Sequence, residues 1–233
     1  MKKIIAICAH PDDFELFMFG LMFLIKKTRL FSIKIIIATD GALGGKITGP
    51  KLAEIRKKET LTALTNFSKP IFLDLPDGQL NKSLLEKKLI RDQLIKAKPD
   101  LVFTHSPNDY HSDHRNLSNI VIDVVDFRAP IIFSDNLMGV NFDPDFYVDI
   151  TKVFNNKKTA ILCHKSQKPK RFLNAIELQN SFRSAQCNRP LKTFAEAYKV
   201  YKSFPRYNVK QFIPNLINPC PFNITHSQKK VLI

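Results

Sequence analysis

Tryptophan is absent from this 233-residue chain, and so is any apolar run long enough to matter to a membrane. The runs around Phe17–Ile25 and Ile33–Ala38 fall short of the roughly 20 residues that cross a bilayer. The first apolar stretch, Ile4 to Ala9, is cut off by His10, Asp12 and Asp13, too early for a signal-peptide core. A cytoplasmic chain with no integral membrane segment is therefore expected. The four cysteines, Cys8, Cys163, Cys187 and Cys220, form no CxxC pair and no framework spacing. That argues against a disulfide scaffold or zinc knuckle and leaves them as reduced thiols. Internal repeats, low-complexity segments and linkers that would split the chain are also missing. Acidic residues are scarce, 21 against 36 basic ones, which gives a formal charge of +15. The excess either solvates a lysine-rich surface or attracts an anion such as a phosphate, a nucleotide sugar or a lipid head group. The lysines are scattered and no nucleic-acid motif is present, so no nucleic-acid partner is expected.

What remains is ordinary globular composition, 44% hydrophobic and 24% charged, enough for one sizeable core. Short β-branched runs at Lys3–Cys8, Ser32–Thr39, Pro70–Leu73, Leu101–Thr104 and Ile131–Phe133 read as strands. Helical patterns alternate with them: Glu15–Lys27, a stripe of Leu52, Ile55, Leu61 and Leu64 beginning at Pro50, Leu84–Ala97 stopped by Pro99, and about Asp113–Val125. Alternation of this kind predicts a Rossmann-like three-layer α/β fold, with a mostly parallel sheet and helices on both faces. Further on, Tyr147–Ile150 reads as a strand, Thr151–Cys163 as a helix capped by Thr151, and Lys170–Arg183 as a helix. Ala195–Tyr201 reads as either a strand or a helix. The expected organisation is one domain over 1–204, with a proline-containing extension, 205–233, packed on it.

Two clusters carry chemistry. His10-Pro11-Asp12-Asp13-Phe14-Glu15 follows the first strand, and His105 to Arg115 (HSPNDYHSDHR) follows the fourth. Together they gather four of the six histidines and four aspartates, at the carboxyl edge where such sheets bind ligands. Two histidines and one carboxylate suit a catalytic Zn²⁺ with one position open for water, and an adjacent carboxylate could take that water's proton. Taken singly, the aspartates could equally be helix caps, Asp12 or Asp13 before Glu15 and Asp113 before its own helix.

AHPDDFE resembles the first signature of the LmbE-like (PIG-L) family of N-acetylglucosaminyl deacetylases. NDYHSDHR resembles its second, HPDH, with Ser112 in place of proline. TDGALGG, IRKKET, LPDG at Leu75–Gly78, KKTAILCHKSQ at Lys157–Gln167 and AEAY at Ala195–Tyr198 extend the resemblance over about residues 3–201. It implies a Zn²⁺-dependent N-deacetylase acting on an amino-sugar conjugate, with Fe²⁺ or Co²⁺ as metals the same ligands accept. It also implies metal ligands His10, Asp13 and His114, a general base Asp12, and an oxyanion-stabilising His111 oriented by Asp113. Arg56 matches an arginine that meets the sugar hydroxyls, while Asp109 and Tyr110 are candidates for substrate contact. His164 either lines the far wall or packs structurally, and His105 is expected either behind the ligands or as a structural residue. His226 has no evident partner. Phe17 and Phe19 stand where the family often has glycines, and would narrow the pocket or repack the core. A hydrolase of another acyl or amide bond, a silent sugar-binding module and a homo-oligomer stay open.

Overall fold

In the computed structural model the described residues are 1–202; the expected 205–233 extension, with Cys220 and His226, lies outside them. Strands β1 (Lys2–Cys8), β2 (Phe31–Thr39), β3 (Ile71–Leu75), β4 (Leu101–Thr104), β5 (Ile131–Ser134), β6 (Phe146–Asp149) and β7 (Ala195–Val200) form one sheet. Its order is β3-β2-β1-β4-β5-β7-β6, parallel from β3 to β5, with β7 antiparallel to both neighbours. The ambiguous last segment is thus a strand. The helices are α1 (Asp13–Phe17), α2 (Phe19–Thr28), α3 (Pro50–Ala63), α4 (Leu84–Ala97), α5 (Ser112–Val125), α6 (Phe154–Ile161) and α7 (Pro169–Gln186).

Period-2 alternation divides β1 between two cores. Ile4, Ala6 and Cys8 pack with α1, α2, α6 and α7, while Ile5, Ile7 and Ala9 pack with α4 and α5. The expected three layers follow from that alternation. Local signals set several boundaries: Ser83 and Glu86 form a capping box on α4, and Lys98 ends that helix in the left-handed region before Pro99. No helix among the described residues is long and apolar enough to cross a membrane.

Two expected helices are divided. The Glu15–Lys27 pattern breaks at Met18, whose backbone leaves the helical region (φ −132°, ψ −9°). Glu196 on β7 is the reason: its carboxylate oxygens accept the Gly20 and Leu21 N–H groups, both at 2.8 Å, capping a fresh helix start. Lys157 Nζ and the Tyr198 hydroxyl donate to the same carboxylate at 2.7 Å each, so the KKTA and AEAY segments meet beneath this break. The Thr151–Cys163 pattern opens as a 3-10 turn over Thr151–Val153. The Thr151 hydroxyl does not cap it, because that oxygen is bonded to the backbone of Phe194.

Candidate active site

Strands β2, β1 and β4 are adjacent and parallel, so the loops that leave them emerge on one edge of the sheet. Strand order reverses between β1 and β4, the topological switch point where such sheets open a crevice. His10, Asp12 and Asp13 enter it from β1, and His105 to His114 from β4. The crevice is a cavity of about 330 Å³ whose lining includes His10, Asp12, Asp13, Arg56, His111 and His114.

The HPDD loop folds Asp13 back on itself. Asp13 Oδ2 accepts the His10 backbone N–H at 2.7 Å and lies 3.2 Å from His10 Nδ1. His114 Nε2 is 3.2 Å from His10 Nδ1 and 3.3 Å from Asp13 Oδ2. The outer nitrogen of each imidazole is held by carboxylates. His114 Nδ1 donates to Asp109 Oδ2 at 2.9 Å, and His10 Nε2 faces Asp77 Oδ1 at 3.2 Å and Asp113 Oδ2 at 3.3 Å. These contacts place the protons outward and aim two nitrogen lone pairs and one carboxylate oxygen at a common point. Such a triangle is repulsive unless a cation or proton fills it. Its 3.2–3.3 Å edges match the roughly 3.3 Å edge of a tetrahedral site with bonds of about 2.0–2.1 Å.

Three further donor sets converge, His10/His111/His114, Asp13/His105/His114 and, on the outer side of His10, His10/Asp77/Asp113. His105 Nε2 already accepts the Ala9 N–H at 3.0 Å, and His111 Nδ1 accepts the Asp113 N–H at 3.3 Å as the N-cap of α5. Each therefore has one nitrogen committed to the backbone. His105 stacks behind His114, with ring centroids 3.8 Å apart.

The electrostatics follow the crowding. Burial opposes ionisation of Asp13, yet His114, His105 and His10 hold its carboxyl well below the usual range. Burial also disfavours charge on His114, but Asp13 and Asp109 outweigh it and lift its pKa to about 9; His10 is raised in the same way, chiefly by Asp13. Burial, with His10 and His114 nearby, pushes His111 down.

Several residues take places that the sequence left open or did not indicate. Asp113 presents its backbone N–H to His111, while its carboxylate serves His10 and the Gly78 N–H. Asp109, expected at the substrate, is buried behind His114 and also accepts the His111 N–H at 2.9 Å. His164 is buried away from the cavity, 3.1 Å from Glu15, which lifts its pKa against the opposing effect of burial. Tyr110 stands at the rim, half exposed. Of the two phenylalanines, Phe17 lines the cavity edge-on to His114, whereas Phe19 packs against Phe14, Phe23 and Phe67 in the core. Asp77 was missed as a site residue; its position in LPDG, directly after a strand, was the available signal.

Helix α3 explains the IRKKET motif. Arg56 Nη2 donates to Asp12 Oδ1 at 2.7 Å and Nη1 to the Gly41 carbonyl at 3.1 Å, so much of its fork is spent inside the protein. Gly41 has φ +68°, and a Cβ there would lie 2.7 Å from Arg56 Nη1. Thr60 binds the Pro11 carbonyl, and Glu59 accepts the Ser166 N–H and hydroxyl at 2.8 and 2.7 Å. One helix face thus ties the HPDD loop to the HKSQ turn.

The family model described as PIG-L, GlcNAc-PI de-N-acetylase, matches residues 5–125. Diacetylchitobiose deacetylase of Thermococcus kodakarensis is 26% identical over 247 residues, covering 95% of this chain and 87% of that protein. Among solved structures, N,N'-diacetylchitobiose deacetylase from Pyrococcus horikoshii superposes with a TM-score of 0.73 at 24% identity, over 86% of this chain and 84% of that one. GalB, the 4-carboxy-2-hydroxymuconate hydratase of Pseudomonas putida, gives the same TM-score of 0.73 at 20% identity, over 89% and 98%. A hydratase on this fold means that the reaction has to be argued from the site.

Proposed function

Because the chain belongs to the PIG-L family, we propose that it is a metal-dependent hydrolase that removes the acetyl group from an N-acetylglucosamine-type sugar conjugate, releasing acetate and a free amine. The observation that carries this reading is the lone-pair triangle of His10, Asp13 and His114, with every outward nitrogen on a carboxylate. Carboxylate-backed imidazoles are the usual second layer of a metal site. The N₂O donor set suits Zn²⁺ and also accepts Fe²⁺ or Co²⁺. When bound, such a cation polarises the amide carbonyl and makes water acidic enough to attack near neutral pH.

The chain's own groups supply the rest. Asp12 lines the same cavity; it accepts the attacking water's proton and returns it to the leaving amine. Arg56 holds Asp12 by one oxygen only, so it fixes the carboxylate without occupying both oxygens. With Nδ1 of His111 accepting a backbone N–H, the neutral ring carries its proton on Nε2 and can donate to the developing oxyanion. Tyr110 at the rim and the cavity-facing side of Arg56 are the groups that meet the sugar.

Acetate release from a panel of N-acetylated sugars, with and without chelator, tests this. Activity should vanish with the chelator and return with added metal. Asp12→Asn should keep the metal and lose about 10²–10⁴-fold in turnover. Full turnover in chelator, or near-normal turnover of Asp12→Asn, would sink the proposal.

A further inference from the structure

The catalytic cavity shares Gly44, Gln167 and Phe172 with a larger groove of about 820 Å³. One wall is the glycine-containing loop after β2, and the other is the 165–168 turn with the start of α7. Four cations line the groove: Lys46, Lys165, Lys168 and Arg171. Its one carboxylate, Glu59, is occupied by Ser166. The ion pairs of the described residues include none of the four cations. Four positive charges against one negative leave three uncompensated in a concave surface, where a low-dielectric wall concentrates the field. A merely solvated lysine face does not need concavity, a net excess of three positive charges or an opening into an active site. Gly44 marks the junction: a Cβ there would sit 2.6 Å from Arg56 Nη1 and 3.1 Å from Gln167 Oε1, so the passage is kept open by the lack of a side chain.

We propose that this groove is a specificity site for the part of the substrate beyond the acetylated sugar, and that this part carries a multiply charged anion, a phosphate or diphosphate. The charge count favours that class over a single carboxylate. Lysines act as point charges toward phosphate, and Arg171 adds a planar fork. The inference rests on the deacetylase reading and adds the class of aglycone to it.

The test compares acetate release from three substrates: methyl N-acetylglucosaminide, N-acetylglucosamine 1-phosphate and its uridine diphosphate ester. Each is assayed at low salt and in about 0.5 M NaCl, where the screening length falls to about 4 Å. The wild-type enzyme should favour at least one phosphorylated substrate roughly tenfold or more in kcat/KM at low salt, with the preference shrinking in NaCl. The Lys165→Glu/Lys168→Glu double variant should lower the same ratio; the salt series supplies the answer if that variant folds poorly. Equal kcat/KM for all three substrates, or a preference indifferent to salt, overturns the groove's role and leaves the deacetylase reading intact. No acetate from either phosphorylated substrate overturns this inference alone, while the wider panel of N-acetylated sugars decides the deacetylase reading separately.

Discussion

Asp109→Asn probes whether the carboxylate behind His114 tunes a metal ligand. Asp109 is buried, and its two oxygens accept two donors, the His114 Nδ1–H and the His111 backbone N–H, both at 2.9 Å. Asparagine fills the same space but offers one acceptor and one donor group. If its oxygen stays on His114, its NH₂ faces the His111 N–H, and two buried donors oppose each other at about 1–3 kcal/mol. If it turns over, its NH₂ faces His114 Nδ1, and that ring must move its proton to Nε2, the nitrogen aimed at Asp13 and His10. Either outcome weakens the ligand triangle, and loss of the negative charge lowers the basicity of His114. Exchange of such an outer partner typically costs about 10–100-fold in metal affinity, in line with the hydrogen-bond figure at 1.4 kcal/mol per tenfold. Competition with a chelating dye at pH 7.5 should therefore show a metal Kd weaker by about that factor. Thermal melting of the metal-free protein records any structural loss separately. An unchanged Kd alongside a lowered metal-free melting point would make Asp109 a structural residue only, and the outward-proton argument for His114 would fall.

Arg56→Lys should lower kcat by about tenfold or more while leaving metal content unchanged, because lysine cannot bond Asp12 and the Gly41 carbonyl together; a change confined to KM would mean that Arg56 serves the sugar and not Asp12. Lys157→Met strands the Glu196 carboxylate in the core, a loss of about 3–5 kcal/mol, which is about 10 °C in melting midpoint for a domain of this size; a shift below about 2 °C would show that Gly20, Leu21 and Tyr198 satisfy Glu196 unaided. His164 has a folded pKa raised by Glu15 despite burial. The stabilisation it gives is thus complete below the unfolded value of about 6.5 and is lost as pH rises through the folded pKa. The stability difference between wild type and His164→Gln, from urea unfolding, should accordingly shrink as pH is raised above about 6.5; a difference that stays constant with pH contradicts the pairing.

What could be read along the chain was whatever depends on neighbours in sequence. Strand and helix periodicity, Pro50 at a helix start, Pro99 after a helix end and polar loops after β1 and β4 all follow from local sterics and side-chain alternation. Those features alone put the histidines and aspartates on one sheet edge. Residues far apart in sequence decided the rest. Glu196, more than 170 residues from Gly20, breaks what reads as one helix by satisfying N–H groups at its middle. Asp109, two residues from His111 and five from His114, reads as a substrate contact because sequence gives no direction to a buried side chain; only the packing of α5 against β4 turns it behind His114. The Asp77 carboxylate joins His10 across 67 positions, and Arg56 joins Asp12 across 44. Proton positions on the two imidazoles, and hence where their lone pairs point, follow from those partners. A hydrogen bond acts over about 3 Å, and sequence carries no information at that scale between segments until the sheet has brought them together.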